Sequence, residues 1–260
     1  MKCSDVIQAL EERWNPSFAL EWDNVGLLVG REDKEVNRIL VALDASDEAV
    51  SQAEDLGADL LITHHPLIFS GIRQVTSGNF IGKRIIRLIQ KDIRCYAMHT
   101  NFDVLGMGRL NEKALGLENT RVLMETCQAD GRGEGIGRVG ELPGRISLGE
   151  FAVKVKNALQ IPDVRVYGDP DWMVERAAVS GGSGKGMAEK ALACGADVLV
   201  TGDIDYHTGI DAAARKLAVI DAGHYGTEYG FIEYMKGELE TMFPRLTVEG
   251  ARICHPYRVM

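Results

Sequence analysis

The chain has 260 residues, 45% of them hydrophobic, and a formal net charge of −9. That length and apolar content supply a sizeable core for one large domain or two smaller ones. The acidic balance sets nucleic-acid partners aside, and no run approaches the roughly 20 apolar residues of a membrane helix. Acidic residues interrupt the N-terminal stretch MKCSDVIQALEERW, so no signal peptide is expected and the chain reads as soluble and cytoplasmic. Five scattered cysteines, with no C-x-x-C pair, read as reduced thiols.

In chain order, residues 4–14 read as an amphipathic helix, with Ser4 as candidate N-cap and Val6, Ile7, Leu10 and Trp14 near helical spacing; Pro16 ends it. VGLLVG and RILVALD (38–44) read as strands, the second buried on both faces. A capped helix (46–57) closes on Gly57, and ADLLITHH follows as another buried strand. Strand, helix, strand is a βαβ unit, which favours parallel pairing. Residues 81–92 read as helix, 93–100 as strand, and GRLNEKALG as helix. CQADGRGEGIGRVG, starting at 127, is rich in glycine and reads as a loop or boundary. Beyond it come a helix capped by Ser147, short strands near 164–167 and 176–180, and a helix and buried strand in MAEKALACGADVLVTGD. Helix 205–216, strand LAVIDAG, helix 226–242 and a final strand in LTVEGARICHPYRVM complete the series.

The chain repeats itself. GADLLITHH (57–65) matches GADVLVTGD (195–203), and ILVALDAS matches AAVSGGSG at the same offset upstream. Later, HTNFD (99–103) matches HYGTE (224–228), each a His-x-x-x-acid after an apolar strand. The economical reading is an internal duplication. The expected fold is therefore α/β, with two similar lobes, 1–126 and 127–245; the C-terminal strand in 246–260 returns to the first. A cleft between the lobes is the expected place for a site.

Ligand sites in open α/β sheets lie beyond the carboxyl ends of parallel strands. LITHHPLIF (61–69) puts His64 and His65 at such an end, and Pro66 holds His65 extended. Adjacent side chains on an extended chain point opposite ways, so the two histidines are expected to serve two different ions. His99 and Asp103 follow one further strand; His224 and Glu228 follow another. Imidazole with carboxylate suits Zn, Fe, Mn, Co or Ni better than Ca or Mg, and a carboxylate such as Glu228 can bridge two ions. His99 reads either as a ligand or as a residue that orients Asp103. His99, Asp44, Asp203 and Glu228 are candidates for proton transfer or ligand support. His207 and His255 lack such a setting. SGGSGKG (180–186) resembles a phosphate loop but fails the Walker A pattern, and reads as a tight turn or an anion-binding nest.

Along nearly its whole length the sequence resembles the NIF-three-like dinuclear metal proteins, the type 2 homologues of GTP cyclohydrolase 1. The resemblance is carried by EWDNVGLLVG (21–30), VALDAS (41–46), GADLLITHHPLIF (57–69), MHTNFDV (98–104), GRVGEL (137–142), VSGGSGKG (179–186), TGDIDYH (201–207) and AGHYGTE (222–228). It implies two divalent transition-metal ions per subunit: one on His65 and Asp103, the other on His64 and His224, with Glu228 bridging and His99 outside the ligand set. It further implies a toroidal homohexamer, of the short form without an inserted domain. The expected function is a metal-dependent hydrolase acting on a nucleotide or phosphorylated small molecule. A non-catalytic metal-binding regulatory or adaptor assembly is the alternative.

Overall fold

Predominantly apolar runs become the central strands, and the helices between them bury one stripe each. A computed structural model of the protein describes residues 1–129 and 131–260. In chain order these carry α1 (Cys3–Arg13), β1 (Gly26–Val29), β2 (Arg38–Ala42), α2 (Asp47–Leu56), β3 (Leu60–Thr63), α3 (Phe80–Gln90), β4 (Arg94–Ala97) and the single turn α4 (Thr100–Phe102). A π-helical turn (Asp103–Met107) leads into α5 (Gly108–Leu115), β5 (Glu118–Ala129), β6 (Arg132–Ser147), α6 (Leu148–Ala158), β7 (Arg165–Tyr167) and β8 (Met173–Ser183). Then follow α7 (Met187–Ala193), β9 (Val198–Gly202), α8 (Tyr206–Ala214), β10 (Ala218–Asp221), α9 (His224–Glu228), α10 (Gly230–Met242) and β11 (Thr247–Gly250). No helix among the described residues is long and apolar enough to cross a membrane.

The chain forms two compact units, Met1–Phe102 with Phe231–Ile253, and Asp103–Gly230 with Cys254–Met260. In the first, the strand order is β1-β4-β3-β2-β11, with β11, β2, β3 and β4 parallel and β1 antiparallel. In the second it is β5-β6-β8-β9-β10-β7, with a parallel centre of β8, β9 and β10 flanked by antiparallel strands. The division thus falls after Phe102 and not after residue 126, because β5 pairs with β6 from Glu118↔Glu141 onward and so belongs to the second sheet. The glycine-rich stretch from 127 is not a linker either. Its described residues lie at the end of β5, in a turn at Gly131 and in β6; Asp130 lies outside the described residues. Its glycines permit close backbone approach: a Cβ on Gly135 would lie 2.0 Å from the Met124 carbonyl oxygen.

Each unit contains the same β-α-β-α-β order, β2 to β4 in one and β8 to β10 in the other. The likeness reaches single hydrogen bonds. Asp59 Oδ2 accepts the N–H groups of Asn37 (2.8 Å) and Arg38 (3.0 Å). Asp197 Oδ2 accepts those of Glu175 and Arg176, both at 2.9 Å. The preceding glycines, Gly57 (φ +61°) and Gly195 (φ +69°), both turn the chain through the left-handed region. Ser46 and Ser147 cap α2 and α6 as their positions suggest, accepting the N–H of Ala49 and Glu150. Ser4 does not cap α1. That helix begins one residue earlier, where Asp5 accepts the Lys2 N–H at 3.0 Å.

Arg94, buried at the start of β4, donates to the carbonyls of Arg31, Glu35, Asp59 and Asp92. Gly30 packs against its stem so closely that a Cβ there would lie 2.7 Å from Arg94 Cγ.

Candidate metal centre

In the first unit, β3 ends at Thr63 and the chain bends through His64 and His65. The opposed side chains expected of an extended pair do not occur, because the strand has already ended. The two rings lie with centroids 5.0 Å apart, tilted by 49°. Each imidazole is fixed through Nδ1: His64 to the Met98 carbonyl at 3.0 Å, and His65 to Asp44 Oδ1 at 2.8 Å. His99, just past β4, is held in the same way by Asp23 Oδ1 at 2.8 Å. With Nδ1 acting as donor, Nε2 carries the basic lone pair of each ring. His64, His65 and His99 can each bring one ligand atom within 4.8 Å of the others, forming a group able to hold a metal ion. His99, which the family resemblance puts outside the ligand set, lies beside the His64 and His65 rings in this group.

Asp23 is the anchor of the arrangement. Burial alone would raise its pKa, but hydrogen bonds from His99 and from the Thr100 hydroxyl and N–H bring it down to about 2. It stays ionised and keeps the His99 ring oriented.

In the second unit, α9 opens on His224 and ends on Glu228, so the i, i+4 spacing brings both onto one face. His224 Nδ1 bonds to Asp203 Oδ2 at 2.7 Å, and its Nε2 lies 3.2 Å from Glu228 Oε2. The Glu228 carboxylate, seconded by Asp203 and opposed by burial, raises the His224 pKa to about 9. Asp203 adopts a positive φ of 53°, an uncommon conformation for a non-glycine residue that suits a local constraint.

Glu228 is 3% exposed and sits over Gly182 (φ +65°), where a Cβ would lie 2.3 Å from Oε1 and 3.3 Å from His224 Nε2. Only glycine leaves room for this carboxylate. The Gly182 N–H donates to Thr227 Oγ1 at 2.9 Å, and Asn111 Nδ2 donates to the Thr227 carbonyl at 3.0 Å, so β8 and α5 both clamp the ligand helix. Asp103, partly buried, opens the π-helical turn Asp103–Met107; such turns recur at functional sites.

SGGSGKG resolves into the end of β8 and a tight turn into α7, with the Met187 N–H donating to the Gly184 carbonyl at 3.0 Å. Its function in the fold is the clearance at Gly182. Sequence reasoning missed that role, and it missed Asp23, Met98 and Thr227. The double glycine after a buried strand was the available signal for the first. His207 lies beside Tyr206 on α8, and His255 packs on Tyr225 and Tyr229, in neither case within a group of candidate ligands.

Imidazole nitrogens with fixed tautomers, beside carboxylates, form a donor set that suits a divalent transition metal. The cradle at Gly182 is cut to a carboxylate in the same way. Fold and donors together define a two-lobed α/β protein with candidate metal-binding groups at the carboxyl ends of its parallel strands. Residues 1–255 match the family model Duf34/NIF3 (NGG1p interacting factor 3), and the chain belongs to that family. It is 39% identical over 240 residues to a Streptococcus pneumoniae protein named GTP cyclohydrolase 1 type 2 homolog, covering 90% of this chain and 88% of that one. A Streptomyces coelicolor protein of the same name is 38% identical over 250 residues, covering 94% and 87%. Among solved structures, Staphylococcus aureus hypothetical protein SA1388 superimposes with a TM-score of 0.92 at 34% identity, covering 100% of this chain and 99% of that one.

Proposed function

We propose that His64, His65, Asp103, His224 and Glu228 hold two divalent transition-metal ions, with Glu228 bridging, and that the protein is a cytoplasmic hydrolase of nucleotides or phosphorylated small molecules. The observation that carries this reading is the uniform treatment of the histidines: each is locked through Nδ1 by a carboxylate or carbonyl, as metal-ligating imidazoles are. The name shared by the relatives, GTP cyclohydrolase 1 type 2 homolog, supports a nucleotide as the substrate class. Such ions supply Lewis acidity and water activation when bound.

The chain's own residues then divide the work. Asp44 and Asp203 hold the His65 and His224 rings in one tautomer. The His99–Asp23 pair, 2.8 Å apart, is a proton carrier at His99 Nε2 with its second nitrogen anchored. The resemblance implies that the assembly is a homohexamer.

Elemental analysis of protein purified without chelators should find about two transition-metal ions per chain. The Zn-, Mn- or Fe-loaded protein should turn over GTP or a simple phosphoester, and a His64→Ala, Glu228→Ala double variant should lose both metal and turnover. Equal activity in the two proteins would refute the reading. Full metal with no turnover on any nucleotide would leave the non-catalytic metal-binding assembly.

A further inference from the structure

We propose that Trp22 and Phe69 form a stacking platform at the rim of the histidine group, and that it takes the planar heteroaromatic ring of a small-molecule substrate. The inference rests on reading that group as a small-molecule site. It adds the place where the ring of such a substrate, a flat nitrogen-containing system as in a nucleobase, would rest.

Three observations within the first unit carry it. Trp22 and Phe69 are large aromatic side chains left 57% and 55% exposed, whereas Trp14 in the same unit is buried. The two rings lie 5.7 Å apart, and both meet the ring of His99 edge-on, at 5.9 and 6.3 Å. His99 in turn contacts the rings of His64 and His65 at 5.2 and 5.5 Å. The exposed aromatic surface is thus continuous with the candidate ligands.

The segments that carry the pair are stapled in place. Asn24 Nδ2 donates to the Ile68 carbonyl at 2.6 Å, which joins the Trp22 segment to the residue before Phe69. Asp23 holds His99 and Thr100, and the Leu20 N–H donates to Thr100 Oγ1 at 2.8 Å. The backbone that presents the two rings is thus fixed, so a ligand stacking on them loses little in ordering those segments. The face of an aromatic ring accepts any flat π-system, and stacking a base on such a side chain is strong and tolerant of base identity. Binding energy gained on the ring would position the substrate over the histidines.

The exposed loop beyond Phe69 also carries Ile72 and Val75. A second copy of the chain resting on this face is therefore the competing occupant, and the experiment separates the two. The probes are guanosine, which has the ring without phosphate, and ribose 5-phosphate, which has no aromatic ring. Binding is read by equilibrium dialysis on wild type, Trp22→Ala, Trp22→Phe and Phe69→Ala, with metal content and sedimentation measured on each preparation. Guanosine should bind wild type and Trp22→Phe, while Trp22→Ala should weaken it by roughly five- to a hundredfold. Ribose 5-phosphate binding and metal content should be the same in all four proteins.

Guanosine binding equal in wild type and Trp22→Ala, or no guanosine binding to wild type at millimolar concentration, overturns the proposal. So does a change in sedimentation for Trp22→Ala without a change in guanosine affinity, which assigns the face to contact between copies. If the protein holds no metal yet guanosine binding still depends on Trp22, the platform stands and the dinuclear reading falls.

Discussion

Gly182→Ala tests the second unit's half of the proposed centre. The added methyl carbon would lie 2.3 Å from Glu228 Oε1, so the carboxylate must retreat by about 1 Å to regain ordinary contact. Glu228 is 3% exposed and cannot simply swing into solvent. The substitution also places a side chain at φ +65°, a left-handed conformation that costs about 1–2 kcal/mol. Gly195→Ala isolates this second effect, since Gly195 has φ +69° and the atom nearest to a new Cβ, Arg176 Nη1, is 4.0 Å away. Both variants should melt lower, by about 2–4 °C for each kcal/mol lost. Only Gly182→Ala should also weaken metal uptake, by roughly 10–100-fold, as displacement of a ligand's support does. The assay is competition between chelator-stripped protein and a fluorescent chelator for Zn²⁺ or Mn²⁺, with thermal melts of the same samples. If Gly182→Ala takes up metal like wild type and melts no lower than Gly195→Ala, Glu228 is not held where the cradle puts it and the argument fails.

Asp23→Asn should destabilise the protein near neutral pH by about 2 kcal/mol, because the carboxyl is held at about 2 against an ordinary 3.8. A carboxyl lowered on folding contributes stability above its unfolded pKa, so in denaturant titrations the difference should shrink as pH falls from about 4 towards 2. In metal-free protein the His224 ring should titrate near 9 by NMR, and Glu228→Gln should move it back towards 6.5; an unmoved midpoint would show that Glu228 is not the cause. Asp59→Ala and Asp197→Ala each remove the acceptor of two backbone N–H groups and should each cost about 1–3 kcal/mol, with metal content unchanged. A large cost at one position and none at the other would contradict the structural equivalence of the two repeats.

The central strands were legible because burial on both faces favours runs that are mostly apolar: LLIT and VLVTG are such runs, and each is a parallel neighbour within its own sheet. Helix starts at Ser46 and Ser147 were legible because a cap is a local bond between a side chain and the next turn. The hairpin of β5 and β6 was not, because its glycines serve a contact with another strand and look locally like a loop. At the candidate site the ligand types could be read from strand ends, but their supports could not. His64 is fixed by a backbone carbonyl, which any residue at position 98 would supply. The carboxylate that fixes His99 comes from 76 residues away, and no periodicity links the two.

Gly30 and Arg94 press on one another where β4 begins, and that contact narrows the routes by which this chain can drift. A larger residue at 30 collides with the arginine stem, while a shorter residue at 94 abandons four carbonyls that the guanidinium serves. Neither letter can change first without harm. The two positions must be exchanged together or inherited unchanged, so a laboratory screen of single substitutions would score both as immutable even if a paired replacement worked.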